Sequence, residues 1–196
     1  MQGKYLLDTN AYFNFMYKTS FRPEKSEEKS DSEVLKKIAD SSCYISELSK
    51  IEIVSVIGKY ARGVSGGREK CNCMISEKGE ICGNYRYSPG RKPMKKSLTA
   101  RWLKLIEETM NGNSSILNIK ILPLSAEIVK RSEKIIRYAL ENKFGSQDAI
   151  IAATLETERI KDEMADMAMI TSDKALKACL DKCGLPYWDA FKKGTY

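Results

Sequence analysis

The chain has 196 residues, 42% apolar and 30% charged, enough for one globular domain with a sizeable core. Lys and Arg exceed Asp and Glu by seven, which favours a polyanionic partner. Histidine is absent, so Ser-His and Cys-His nucleophiles, histidine acid–base pairs and histidine-ligated zinc are excluded; hydrolytic chemistry would fall to carboxylates, cysteines and bound metal.

Lys4–Leu7 is predicted as a buried strand ending at Asp8, and Asn10–Tyr17 as an aromatic-rich helix. Asp8 also interrupts any secretory hydrophobic region. No apolar run nears the ~18 residues that span a bilayer, so no membrane partner is expected and the expected location is the cytoplasm. There the six cysteines would be mostly reduced. Ser20–Ser32 is polar and charged and is expected to be a surface loop, with a short helix over Glu33–Asp40. Cys43–Ile45 is a second strand candidate. Glu47–Arg62 is a longer amphipathic helix with Leu48, Ile51, Val54 and Ile57 at helical spacing. From about Val64 to Lys96 the helical period disappears, in a stretch with a Gly-Gly pair, two prolines and three cysteines. Leu98–Met110 resumes a helix that Asn111-Gly112-Asn113 stops. A strand over Ile116–Leu122, a helix over Ala126–Glu141 and a second, more apolar helix over Gln147–Thr157 follow. Met167–Thr171 is a strand, Lys174–Cys183 a helix and Pro186–Trp188 a last strand. Strands alternating with helices predict a parallel sheet covered on both faces.

Four acids fall near predicted strand or helix ends. Asp8 and Asp173 follow strands and precede helices, where a short carboxylate is a natural N-cap. Asp148 lies in a first helical turn, favoured there by the helix dipole, and Glu52 lies on the helix after the second strand. Each has an ordinary structural explanation. Together they share a geometry, because ligands of open parallel sheets bind outside the carboxyl ends of the strands. Carboxylates gathered there repel one another unless a cation is present, and hard oxygen donors suit Mg²⁺ or Mn²⁺.

Leu6-Leu7-Asp8-Thr9-Asn10 resembles the opening motif of PIN domains. Ile45-Ser46 followed by Glu52 resembles their second motif, Gln147–Thr154 the third, and Met169-Ile170-Thr171-Ser172-Asp173-Lys174-Ala175-Leu176 the fourth. The resemblance covers nearly the whole chain except about Val64–Lys96. It implies a three-layer α/β sandwich with a short central parallel sheet: a single PIN-like domain over residues 1–196 carrying an inserted basic, cysteine-containing segment at about 64–96.

PIN domains are metal-dependent ribonucleases, and VapC-type toxins are their commonest small examples. The resemblance implies that Asp8, Glu52, Asp148 and Asp173 are catalytic and hold Mg²⁺ or Mn²⁺. Thr9, Asn10, Ser46 and Thr171 are the expected hydrogen-bonding supports of these carboxylates, although turn chemistry explains Thr9 and Ser46 equally well. Single-stranded or looped RNA is the expected substrate. A toxin role would imply an antitoxin partner, and many relatives form homodimers.

The inserted segment carries Cys71, Cys73 and Cys82 among basic residues that include Arg68, Lys70, Arg91, Lys92, Lys95 and Lys96. One reading is a small zinc-stabilised hairpin whose fourth ligand would come from Cys43, Cys179, Cys183, a carboxylate or a second subunit. The spacing is not that of a standard paired knuckle, and a flexible basic loop with free or packed cysteines is the other reading. Either would help hold RNA phosphates. Alternatives to a toxin nuclease are an RNA-processing or DNA structure-specific nuclease of the same fold, or a non-catalytic nucleic-acid-binding PIN module. A haloacid dehalogenase-type phosphatase would need Asp-x-Asp at the first strand, where this chain has Asn10.

Overall fold

A computed structural model describes residues 3–20, 38–70, 80, 82–114, 116–141 and 144–189. Residues 21–32 of the expected loop, most of the helix expected at Glu33–Asp40, and Cys71 and Cys73 lie outside the described residues, while Ser20 is the last residue of a helix. The chain forms two compact units, Val54–Lys104 and the remainder.

The larger unit holds a five-stranded sheet. Its strands are β1 (Lys4–Leu7), β2 (Ser42–Ser46), β5 (Ile119–Leu122), β6 (Ala168–Ile170) and β7 (Tyr187–Trp188). All neighbours pair in parallel in the order β5-β2-β1-β6-β7, so their carboxyl ends share one edge. The chain leaves β1 towards β2 on one side and β6 towards β7 on the other. The switch in direction therefore falls between β1 and β6, the place where open α/β sheets form a crevice.

Helices flank this sheet. They include α1 (Thr9–Ser20), α4 (Ala126–Ile135), α5 (Ser146–Arg159) and α6 (Lys174–Cys183); a 3₁₀ segment, Ile136–Leu140, extends α4. Side chains alternate across a strand. Leu6, Tyr44, Leu122 and Met169 accordingly pack in one core with Ile128, Ile151, Leu155, Leu176 and Leu180. Leu7 and Ile45, one position on from Leu6 and Tyr44, are also fully buried, on the opposite face. Strands buried on both sides read as continuous apolar runs, which is why Lys4–Leu7 was legible without alternation.

Two helices run from one unit into the other, α2 (Glu47–Arg62) and α3 (Lys96–Met110). The expected apolar stripe of α2 is corrected in part. Ile51 and Val54 are 64% and 49% exposed, whereas Ile57 is buried as expected, in a row with Ser49 and Ile53. The helix carries two apolar rows. The row Ser49, Ile53, Ile57 faces inward, and the Ser46 hydroxyl caps the start of the helix by accepting from Ser49 N at 3.0 Å.

The smaller unit contains an antiparallel hairpin, β3 (Gly67–Lys70) with β4 (Tyr85–Ser88), inside the stretch that sequence periodicity left without regular structure. Val64 and Arg91 bridge below it through paired backbone bonds of 2.8 Å. Gly63 ends α2 at φ 70°, and the carbonyl oxygen of Arg91 lies 2.5 Å from where a Cβ would stand, so only glycine fits this turn.

Candidate active site at the strand ends

The β1–α1 junction buries Asp8 to 3% exposure. Its backbone N–H donates to Ile170 O at 3.2 Å, tying the residue to β6 at the switch point. One carboxylate oxygen accepts the N–H of Ala11 and so caps α1; the other accepts the hydroxyl of Thr171. Burial pushes the Asp8 carboxyl up to about 6. The Thr171 and Ala11 bonds oppose that rise, and the negative charges of Asp173 and Glu52 add to it. Glu52 and Asp173 are thus close enough to Asp8 to be felt electrostatically.

Thr171 is fully buried and links two acids. It donates to Asp8 and accepts the N–H of Asp173 at 3.0 Å. Asp173 caps α6, one oxygen accepting from Ala175 N at 2.7 Å and Leu176 N at 3.1 Å. Thr9 donates to Glu52 Oε2 at 2.7 Å, a bond that fixes the glutamate against the first motif across 43 residues of chain. Asp148 accepts from Gly145 N at 2.9 Å. Burial raises its pKa, and the charge of Asp173 adds to the rise. It also lines a cavity of about 450 Å³ with Phe144, Gly145 and Ala175.

The four expected acids are therefore linked pairwise, Asp8 to Glu52 and Asp173, and Asp173 to Asp148. Among the described residues, no three acidic or thiol side chains are arranged to hold a metal ion directly. Glu52, Asp148 and Asp173 each spend one oxygen on the scaffold; among the described residues their other oxygens have no hydrogen-bond partner.

Of the expected supports, Thr9 and Thr171 bond carboxylates. Ser46 instead caps α2 and shares a 2.9 Å hydroxyl contact with Ser49, and Asn10 is exposed. Cys82 is a free thiol. Arg91 packs its guanidinium 4.0 Å from the Tyr60 ring centre and donates to Lys59 O at 3.1 Å.

Sequence reasoning missed Asp189. It follows β7 as Asp8 follows β1, accepts from Ser172 Oγ at 2.5 Å and pairs with Lys177 at 2.6 Å. The hydrogen bond to Asp189 raises the Lys177 pKa, and the charge of Asp173 adds to the rise. An acid directly after a strand was the available signal, masked by the weakness of a two-residue strand.

A parallel sheet ordered in this way and flanked by helices defines an α/β protein of PIN-like fold. Among solved structures, a chain of VapBC-1 from nontypeable Haemophilus influenzae is similar, with a TM-score of 0.51 and 14% identity, over 96% of this chain and 99% of that one. FitAB bound to the IR36 DNA fragment gives 0.53 and 15%, over 98% and 99%. DNA-bound VapBC from Salmonella typhimurium gives 0.52 and 12%, over 96% and 99%. No family model and no curated protein matches the sequence.

Proposed function

We propose that this chain is a divalent-metal-dependent ribonuclease, acting as the toxin of a toxin–antitoxin pair. The observation that carries the reading is Asp8: a buried carboxyl at the switch point of a PIN-like sheet, loaded with the charge of two further acids. Such crowding of like charge is unfavourable in the free protein and is relieved by a cation. Lys177 senses Asp173, and its ammonium is already committed to Asp189.

The residues fit Mg²⁺ or Mn²⁺. Their donors are hard oxygens, and Mg²⁺ characteristically keeps several waters while taking one or two carboxylates, so a direct cage of three acids is not required. Asp8, Glu52, Asp148 and Asp173 would hold the ion. Bound there, it would lower the pKa of a water for attack on phosphorus and stabilise charge on the departing oxygen. The chain's own residues provide orientation. Thr171 and Ala11 fix both oxygens of Asp8, Thr9 fixes Glu52, and the α6 cap holds Asp173 by one oxygen. Similarity to VapBC and FitAB chains supports a protein partner able to block the acidic edge.

Wild type and Asp8→Asn incubated with a mixed RNA pool test this. Wild type should cut in Mg²⁺ or Mn²⁺, and neither EDTA nor the variant should support cleavage. The same ions should raise the melting temperature of wild type and not of the variant. Cutting in EDTA, or by a folded Asp8→Asn protein, removes the mechanism. The lack of a ready-made three-acid cluster among the described residues favours one second reading, a non-catalytic RNA-binding module of the same fold. RNA that is bound and left intact under every metal condition would establish that reading instead.

A further inference from the structure

The net charge of this chain is unevenly placed. Val54–Lys104 contains twelve Lys and Arg against three Glu, an excess of nine in a chain whose total is +7, so the larger unit is left at −2. Within the smaller unit the hairpin register sets Arg68 opposite Tyr87 and Lys70 opposite Tyr85. Directly opposed residues of an antiparallel pair point to the same face, as do residues two apart on one strand. All four side chains therefore share one face of β3–β4. The diagonal contact agrees: the Arg68 guanidinium lies 4.8 Å from the Tyr85 ring centre.

This face is open. Tyr85 is 56% and Tyr87 76% exposed, the latter the most exposed tyrosine among the described residues. Arg68 and Lys70 are exposed too, and neither is paired with a carboxylate among the described residues. Large aromatic rings left this exposed cost stability that packing would recover, and the contact of Arg68 with Tyr85 covers only part of that surface. Planar rings alternating with cations are what a single nucleic-acid strand requires: stacking for its bases and countercharge for its phosphates. A duplex hides its base faces and cannot use the rings.

We propose that the Arg68–Lys70–Tyr85–Tyr87 face of the hairpin binds single-stranded RNA, the tyrosines stacking on successive bases and the cations holding the phosphates between them. The choice of RNA over DNA rests on the ribonuclease reading; the single-strand requirement rests on the hairpin alone. The surface adds a holding function to the chain and does not take part in bond cleavage.

Binding of a fluorescent oligoribonucleotide of about 12 nucleotides, measured by anisotropy in EDTA, tests the proposal. Tyr85→Ala and Tyr87→Ala should each weaken binding roughly tenfold, the range expected for one stacked base. Tyr85→Phe and Tyr87→Phe keep the ring and should bind as wild type. Arg68→Ala and Lys70→Ala should each flatten the log–log salt dependence by about 0.7. Tyr138→Ala, on the larger unit, is the control and should change nothing. Duplex RNA and single-stranded DNA of the same sequence should bind more weakly. Alanine variants that match wild type, or equal affinity for duplex, overturn the proposal, and equal or tighter binding of single-stranded DNA overturns the assignment to RNA. Wild type that binds RNA in EDTA and cuts none of it in Mg²⁺ or Mn²⁺ refutes the nuclease reading while leaving this one standing.

Discussion

Burying Asp8 to 3% exposure opposes its ionisation, and Glu52 and Asp173 add repulsion, so the metal-free fold holds the proton to a higher pH than the unfolded chain does. An aspartate with a pKa near 3.8 when unfolded and about 6 when folded binds more protons in the native state between those values. Stability therefore falls as pH rises through that window, by about 3 kcal/mol in total, and is level above it. In EDTA, Asp8→Asn should be more stable than wild type at pH 7.5 by up to about 3 kcal/mol, with the difference vanishing near pH 3.5. Urea unfolding at the two pH values measures this; a variant less stable than wild type at pH 7.5 would remove the charge argument. Thr171 is the counterpart, a fully buried hydroxyl whose bonds favour the charged form of Asp8 and satisfy the Asp173 N–H. Thr171→Val keeps the shape and removes both bonds. It should destabilise the fold by about 1–3 kcal/mol and raise the Asp8 pKa further, readable by carboxyl NMR titration.

The helices of this unit are started by the same carboxylates that the proposed chemistry uses, and the two roles can be separated. Asp173 caps α6 through one oxygen. Asp173→Ala should cost about 1 kcal/mol of stability, Asp173→Asn only a few tenths, because asparagine caps as well as aspartate. Both should lose metal-dependent cleavage; if Asp173→Asn stays active, the carboxylate charge is not needed. This double duty explains what could be read in advance. Caps and strand ends have local signatures, so Asp8, Asp148 and Asp173 were visible from their neighbours, and the expected bounds of α6, Lys174–Cys183, are those observed. Glu52 was placed by motif spacing, while the bond that orients it comes from Thr9 on another element. The buried row of α2 was misread because two apolar rows compete and only tertiary packing decides between them. A hairpin is only one of two readings of the segment that holds β3 and β4, because its alternation is of charge and tyrosine on an exposed face, without the apolar–polar period that burial imposes. The 3₁₀ ending of α4 shortened a helix whose pattern continued to Glu141, and β5 starts at Ile119 rather than Ile116 while ending, as expected, at Leu122.

Over the molecule as a whole, the positive charge and the proposed chemistry fall to different parts of the chain. The unit with the acids carries −2 and so has little attraction for a polyanion, whereas Val54–Lys104 carries +9. If RNA is retained through the basic unit, tethering raises its local concentration at the acids without altering bond cleavage itself. Kinetic constants should then divide along the same line. Replacing Lys92, Lys95 and Lys96, all exposed and unpaired among the described residues, with alanine should raise KM several-fold at about 150 mM salt and leave kcat near wild type. The salt dependence of kcat/KM should flatten by about 0.7 for each phosphate that is no longer neutralised. Asp8→Asn should do the opposite, abolishing kcat with RNA affinity intact. Steady-state kinetics at three salt concentrations separate the two cases. A triple-lysine variant that loses kcat with KM unchanged would mean that these residues act on the transition state, and the division of labour between the basic and acidic parts would be wrong.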